Sequence, residues 1–409
     1  MAESPLTALF ALLSLALVSA PAYAAQSAEP EAWAHLPEPV TNNAVAGVEL
    51  DGRLMAYSFA GLHEGKTWRD VTADAYACDL DARTCREIGG LPDGVGRLAS
   101  VAVTVRGQIY IFGGYTVAED GSERSTPEVW RFDPASETYT HITDMPVPVD
   151  DTVALPFRDR YIYLVSGWHD TDNVDLVQVY DVEEDHWFEA TPFPGAPVFG
   201  HAGAIHPDGH MLICGGTAVV PPTTEGGRRS FAAIDDCWTG QVADNLHAME
   251  WQPAPPIPGG PFYRGAAFAR GHLWIFVAAT DNAYNYSGMG YDGVPSEPRG
   301  DASALLPALH SAAMRCPAGS PTRARDSRAA LWSQTNSAPL NVMDIRGIVS
   351  VRTHATPSAP TTGAGGEVSQ FILGGMGPDQ TVLGVVRRLP DTLAADIMAN
   401  PRPVCPSSD

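Results

Sequence analysis

The sequence predicts an all-β fold, a closed ring of six four-stranded sheets, from two recurring signals and one misplaced strand. The first signal is a short apolar run that ends in two small residues. The second is an aromatic residue followed seven positions later by proline. The misplaced strand is "EAWAHLPEPV", Glu31 to Val40, which reads as the end of a repeat although no repeat precedes it.

The apolar runs are "GRLMAYSFAG", "GQIYIFGG", "RYIYLVSG", "GHMLICGG", "GHLWIFVAA" and "VSQFILGG". Their small pairs are Ala60-Gly61, Gly113-Gly114, Ser166-Gly167, Gly215-Gly216, Ala278-Ala279 and Gly374-Gly375. Backbone passes close to a neighbouring sheet there, in dihedrals that glycine tolerates best. The second signal occurs as Tyr139/Pro146, Trp187/Pro194, Trp251/Pro258 and Trp332/Pro339, with cysteine replacing the ring in Cys85/Pro92. Each unit then holds four strands. A is small and apolar, and B ends at the small pair. C carries an aromatic-Asp step (Phe132-Asp133, Tyr180-Asp181), and D carries the ring before the proline corner. The C and D rings lie seven apart, across a tight hairpin, where cross-strand pairs stabilise a sheet.

The sixth unit, near Asp344 to Arg388, has no D strand after it. Residues 31–40 supply one, with Trp33 in the aromatic slot, so the first strand closes the last sheet and hides two edges. Residues 299–330 break the pattern: they are rich in Ala, Arg and Ser, lack alternation, and fall where the fifth unit needs strand C. An irregular insertion and a local frame disturbance both fit that segment.

Composition narrows function. The chain has 409 residues, 25 basic against 48 acidic, for a formal net charge of −23. Such a chain repels phosphate backbones and anionic headgroups, which argues against nucleic-acid and membrane-surface roles. Residues 1–24 read as a signal peptide, with an apolar core from Leu6 to Val18 and an Ala22-Tyr23-Ala24 cleavage pattern, although Glu3 stands where a basic residue is usual. The core is short for a membrane span. Export to a periplasmic or secreted location, with a single domain over 25–409, is the expectation. Six cysteines in an exported chain predict disulfides. Cys78 and Cys85 occupy facing C and D slots, Cys214 and Cys237 can pair in the fourth unit, and Cys316 with Cys405 remains by elimination. No spacing suggests a metal site, and no cofactor is called for.

These signals resemble the kelch repeat, from about Glu31 to Pro390, and the resemblance implies a six-bladed β-propeller whose last blade is closed by the N-terminal strand. In such folds ligands sit at the mouth of the central channel. Counting fourteen residues back from each small pair places Ala46, Ala99, Thr152, His201 and Arg264 in one slot, and "DIRGIV" places Arg346 there too. His201, Arg264 and Arg346, joined by Arg97, form either an anion pocket or a set of structural ties to carboxylates such as Asp150, Asp151 and Asp344. The loops after the small pairs add Trp168, His169, Asp170 and Tyr284, rings and polar groups suited to a sugar.

The layout is similar to that of exported bacterial kelch proteins that interconvert sialic acid anomers. That likeness implies a cofactor-independent mutarotase or epimerase, with Arg264 and Arg346 as anchors and His201, His169 or Asp170 moving protons. No site motif matches residue by residue. The alternative is a non-catalytic module for protein or glycan. Copper-oxidase ligands, sialidase boxes, phosphate loops and a GxSxG serine are absent from the sequence.

Overall fold

The structure, a computed structural model, describes residues 32–224, 229–257, 259–270, 273–277, 280, 285–292, 302–306, 331–335, 349–352 and 368–389. Among them lie six four-stranded antiparallel sheets and four two-stranded hairpins. Five sheets are blades made of consecutive strands, A to D from the channel outward.

Blade one runs Ala44–Leu50, Arg53–Leu62, Val71–Asp79 and Thr84–Ile88. Blade two is Val101–Val105, Gln108–Phe112, Val129–Asp133 and Thr138–Ile142. Blade three is Val153–Phe157, Tyr161–Val165, Val177–Asp181 and His186–Glu189. Blade four is Ala202–Ile205, His210–Cys214, Cys237–Val242 and Met249–Ala254. Blade five is Ala266–Arg270, Leu273–Val277, Ala302–Leu306 and Leu331–Thr335.

The remaining sheet is composite. Val349–Arg352, Val368–Leu373 and Val385–Arg388 come from the far end of the chain, and Ala34–His35 supplies the outer strand. Ala34 pairs with Val386 and His35 with Val385. Trp33 packs edge-on against Phe371 at 5.7 Å and donates its Nε1–H to the Leu80 carbonyl of blade one at 2.8 Å. The opening segment is thus tied to both its neighbours.

Both members of every described small pair have positive φ. The first members, Ala60, Gly113, Ser166, Gly215 and Gly374, lie between 52° and 67°, and the second members between 89° and 122°. A Cβ on Gly114 would stand 2.7 Å from the Leu98 carbonyl oxygen. The amides of Gly61, Gly167, Gly216 and Gly375 donate to the carbonyls of Arg97, Val198, Phe262 and Val40, each on the segment leading into a neighbouring blade. The pair is therefore the stitch between blades. Apolar side chains fill the spaces between sheets, as where Tyr57 and Phe59 of blade one meet Ile109, Ile111 and Phe132 of blade two.

The outer slots also match expectation. Phe132 faces Tyr139 with ring centres 4.8 Å apart, and Tyr180 faces Trp187 at 5.0 Å. Blade one has the Cys78–Cys85 disulfide in that place, and Cys214–Cys237 joins strands B and C of blade four. Cys316 and Cys405 lie outside the described residues.

Residues 299–330 need one correction. They do contain strand C of blade five, Ala302–Leu306, which pairs with Leu273–Val277 on one side and Leu331–Thr335 on the other. In that strand Leu305 pairs with Trp332. Pairing with two strands outweighs the weak local pattern there.

Candidate functional site

The A strands of blades one to five line a channel of about 350 Å³, walled by small and apolar side chains such as Ala46, Val101, Ala154, Ala204 and Phe268. Two-residue A–B turns at Asp51-Gly52 and Arg106-Gly107, with both residues at positive φ, keep these hairpins tight. Chemistry gathers at the opposite end, where strand A begins.

One residue per blade there adopts a left-handed conformation: Asn42, Ala99, Asp151, Gly200 and Arg264, with φ between 52° and 62°. Each passes the backbone to its neighbour. Ala99 donates its amide to the Asn42 carbonyl, Asp151 to Ala99, Gly200 to Asp151 and Arg264 to Gly200, at 2.8–3.0 Å. Five blades thus present five equivalent positions around the mouth, and only their side chains differ.

This alters the register expected from sequence. Arg264 and Ala99 hold the equivalent slot, but Asp151 replaces Thr152, Gly200 replaces His201 and Asn42 replaces Ala46. The A–B turns of blades three and four are longer than two residues, and the A and B strands of blade one are longer, so a fixed count from the small pair slips. Arg346 and Tyr284 lie outside the described residues.

Arg264 is buried and directs Nη2 at Asp151 Oδ2, 3.4 Å away, with both side chains 4% exposed. Its guanidinium also lies over the Tyr263 ring at 4.9 Å. Arg97 is buried too, but its partners are different. It is bonded to Asp93 and lies 3.8 Å from Glu128, a tie between blades one and two. His201 immediately precedes strand A of blade four and lines a cavity of about 20 Å³ together with Asp151, Thr152 and Arg264. Both of its ring nitrogens are shut off from solvent, and the Val165 carbonyl is the polar group that acts on them. Burial pushes its pKa down to about 4, with the Val165 carbonyl opposing, so the ring is neutral at pH 7.

Four short hairpins rise after the small pairs and form a rim. In blade three, Trp168–His169 pairs with Asp172–Asn173. His169 Nδ1 bonds the Pro148 carbonyl at 2.7 Å, and His63 makes the equivalent bond to Pro39 in blade one. Both histidines therefore latch a loop between blades. Asp170 accepts the Ser125 amide at 3.0 Å, which joins the rims of blades two and three. Trp168 stands edge-on to Phe199 and Phe231, with Arg229 5.0 Å over its ring.

The rim of blade two, Tyr115–Val117 with Glu123–Ser125, carries groups that the sequence survey passed over. Burial pushes the Glu123 carboxyl up to about 7, with the Arg264 charge opposing. Glu123 is nevertheless open to solvent, as a residue on a concave wall is: surrounded by protein and still reachable. Tyr115 is buried, and loss of solvent holds its phenol well above the ordinary value, with Glu123, Arg264, Tyr291 and Asp150 all within electrostatic reach. Ser125 donates its hydroxyl to Asp150 Oδ2 at 2.7 Å. A sequence signal for this hairpin existed, because Asp120-Gly121 is a strong turn step and folds Glu123 back opposite Val117.

The blade five hairpin, Asn285–Tyr286 with Tyr291–Asp292, reaches over this mouth. Asn42 donates to the Tyr291 hydroxyl at 2.5 Å, and the Trp68 amide donates to the Gly288 carbonyl at 2.6 Å. Tyr286 is buried with Leu62, Leu98 and Tyr115. Among the described residues, Glu123, Asp150, Asp151, Arg264, Tyr115 and Tyr291 thus gather at this end of the channel. Among the described residues no group of three or more His, Cys, Asp or Glu is placed to hold a metal ion.

A family model described as Kelch motif matches residues 96–146, the span of blade two. The chain is 28% identical over 151 residues to Kelch-like protein 15 of Gallus gallus, covering 34% of this chain and 30% of that protein. It is 31% identical over 99 residues to Kelch-like protein 35 of Mus musculus, covering 24% and 16%. These matches span less than a third of each relative's length. A solved structure titled "Structure of YjhT" superposes with a TM-score of 0.57 at 14% identity, over 86% of this chain and 95% of that one, and shows the shared fold. Sheets stitched in succession around a channel define a β-propeller. The chain has the β-propeller fold and carries a kelch motif over residues 96–146.

Proposed function

We propose that this propeller binds one sugar ring at its channel mouth and moves protons on it, as a cofactor-independent isomerase of the mutarotase or epimerase type. The observation that carries this is the rim hairpin of blade two. It sets Glu123, open to solvent and with its carboxyl raised to about 7 by burial, within electrostatic reach of Arg264 and Tyr115 at the mouth. An acid–base group works best when its pKa matches the working pH. Anomer exchange needs little else. Glu123 carboxylate takes the proton of the anomeric hydroxyl while the ring oxygen takes a proton from a neighbouring donor. The bond between the anomeric carbon and the ring oxygen breaks to leave an open-chain carbonyl, and reclosure on the other face returns both protons. Tyr115, whose phenol stays protonated at neutral pH, is suited to be that donor.

The test is ligand-observed NMR of anomer exchange with the purified protein. Acceleration that falls about a hundredfold in Glu123→Gln supports the reading; unchanged acceleration in that variant removes Glu123 from it.

A second reading, a protein- or glycan-binding module without catalysis, is favoured by the Trp168, Phe199, Phe231 and Arg229 cluster on the rim. Aromatic and arginine side chains of this kind anchor many interfaces. Saturation transfer without exchange would select it.

The same proposal takes the composite sheet as the sixth blade of the ring. It treats residues 25–409 as one domain and the chain as exported after removal of residues 1–24. The two disulfides are consistent with an oxidising compartment.

A further inference from the structure

We propose that Tyr286 is a ligand-binding residue: its phenol hydroxyl, carried over the mouth on the blade five hairpin, hydrogen-bonds an oxygen of the bound sugar. The inference rests on the proposed function above and adds a group to its site.

Tyr286 is 5% exposed and packs with Leu62, Leu98 and Tyr115, where blades one, two and five meet. Its hydroxyl is shut off from water and has no hydrogen-bond partner among the described residues. Burying a hydroxyl in that way is unfavourable, and phenylalanine would fill the same apolar seat without the cost. The neighbouring phenol is different. Tyr291, with its ring centre 5.2 Å away, accepts a hydrogen bond from Asn42. One hydroxyl of the hairpin is thus tied to the protein and the other is not.

The untied hydroxyl stands beside the proposed chemistry. Burial keeps the Tyr286 phenol protonated, and Tyr291, Asp70 and Glu123 lie within electrostatic reach of it. Glu123 acts on Tyr115 as well, so two phenols share the carboxyl that the proposed reaction uses. A sugar whose anomeric hydroxyl meets Glu123 brings its other oxygens into this neighbourhood, and a phenol can donate to them or accept from them.

Backbone contacts, not that hydroxyl, set the position of the hairpin. The Trp68 amide donates to the Gly288 carbonyl at 2.6 Å. Gly288 and Gly121 belong to the turns of the blade five and blade two hairpins, and a Cβ on Gly288 would stand 2.9 Å from the Gly121 Cα. A sugar reaches the hydroxyl when these tips part, and their closing over it gives the hydroxyl a partner. A ligand that bonds only the closed hairpin favours closure by that bond.

The test separates binding from stability. Saturation transfer is recorded on the full chain with D-glucose, D-galactose, D-glucuronate and sialic acid, and the sugar that saturates at the lowest concentration is titrated against Tyr286→Phe. The variant should need about tenfold more sugar for half-saturation, while its melting temperature stays the same or rises. Unchanged sugar affinity in Tyr286→Phe would overturn this inference and leave the proposed function standing. A lower melting temperature would overturn it too, because the hydroxyl would then serve the fold. Failure of all four sugars to bind would remove the proposed function and this inference with it.

Discussion

The channel wall and the channel mouth are made by the same five blades, and they use sequence in opposite ways. Along the wall every blade contributes the same kind of residue: small or apolar, alternating, interchangeable with the next blade's. At the mouth every blade contributes the same backbone, a left-handed residue bonded to the blade before it, but the side chains are Asn42, Ala99, Asp151, Gly200 and Arg264. Repetition fixes where the groups stand. Departure from repetition decides what they can do.

Substitutions that strike one layer and spare the other sharpen this contrast, and the stitch beneath both layers should give the largest effect. Gly114→Val places a branched side chain at φ 93° against the Leu98 carbonyl and the Ser100 hydroxyl. Thermal unfolding followed by circular dichroism should show a loss of at least ~4 kcal/mol, or no folded protein at all.

Next comes the mouth. Glu123→Gln should lower anomer exchange about a hundredfold, equivalent to ~2.7 kcal/mol of barrier, and leave the melting temperature almost unmoved. A parallel fall in both would merge the two layers that the contrast separates.

The third test uses pH, because His201 and Glu123 carry opposite signs. The folded pKa of His201 is depressed to about 4 from 6.5. Below pH 6.5 the unfolded chain takes up a proton that the folded one refuses, so stability falls as pH drops from 6.5 towards 4. At pH 5 the loss is about 2 kcal/mol. Glu123 is raised from 4.5 to about 7, so the folded state keeps a proton that the unfolded state releases, and stability falls as pH rises through that window. Solvent around Glu123 reduces its share. In denaturant titrations, His201→Leu should flatten the acid limb, and Glu123→Gln should flatten the limb between pH 4.5 and 7. Identical profiles for the two variants would contradict the assignment.

The smallest effect belongs at Ala99, which shares Arg264's backbone but has no polar side chain. Ala99→Gly should be neutral or stabilising by up to ~1 kcal/mol, because glycine tolerates φ 59° at no steric cost. A clear loss there would mean that the left-handed ring is held by side-chain packing rather than by its backbone bonds.

The same contrast explains what was legible in the sequence. The small pairs, the facing C and D rings and the Cys78–Cys85 substitution were readable because backbone geometry imposes them on every blade. The pairing of the segment around Trp33 with a strand near the far end of the chain was readable as a repeat ending without a beginning. The mouth was only partly readable. Arg264 was found through the repeat and Asp151 was named as a carboxylate that could tie it, but the count put Thr152 in the equivalent slot because the turn of blade three is longer. Glu123 and Tyr291 were missed because rim hairpins carry no repeating pattern, and their proximity comes from a fold that brings blade five over blades one and two. Arg97 and Arg264 looked alike in sequence. Their counter-ions, Asp93 and Asp151, make one a tie between blades and the other part of the mouth.

The pairing of Ala34 with Val386 also sets an order in time. The segment that leaves the ribosome early has its partner strand near the other end of the chain, so it must wait, unpaired, while the intervening blades are made. Its long sequence separation makes this contact a slow one to form. Until that contact forms, the strand Val385–Arg388 has one edge without its partner, open to pairing with any other extended segment.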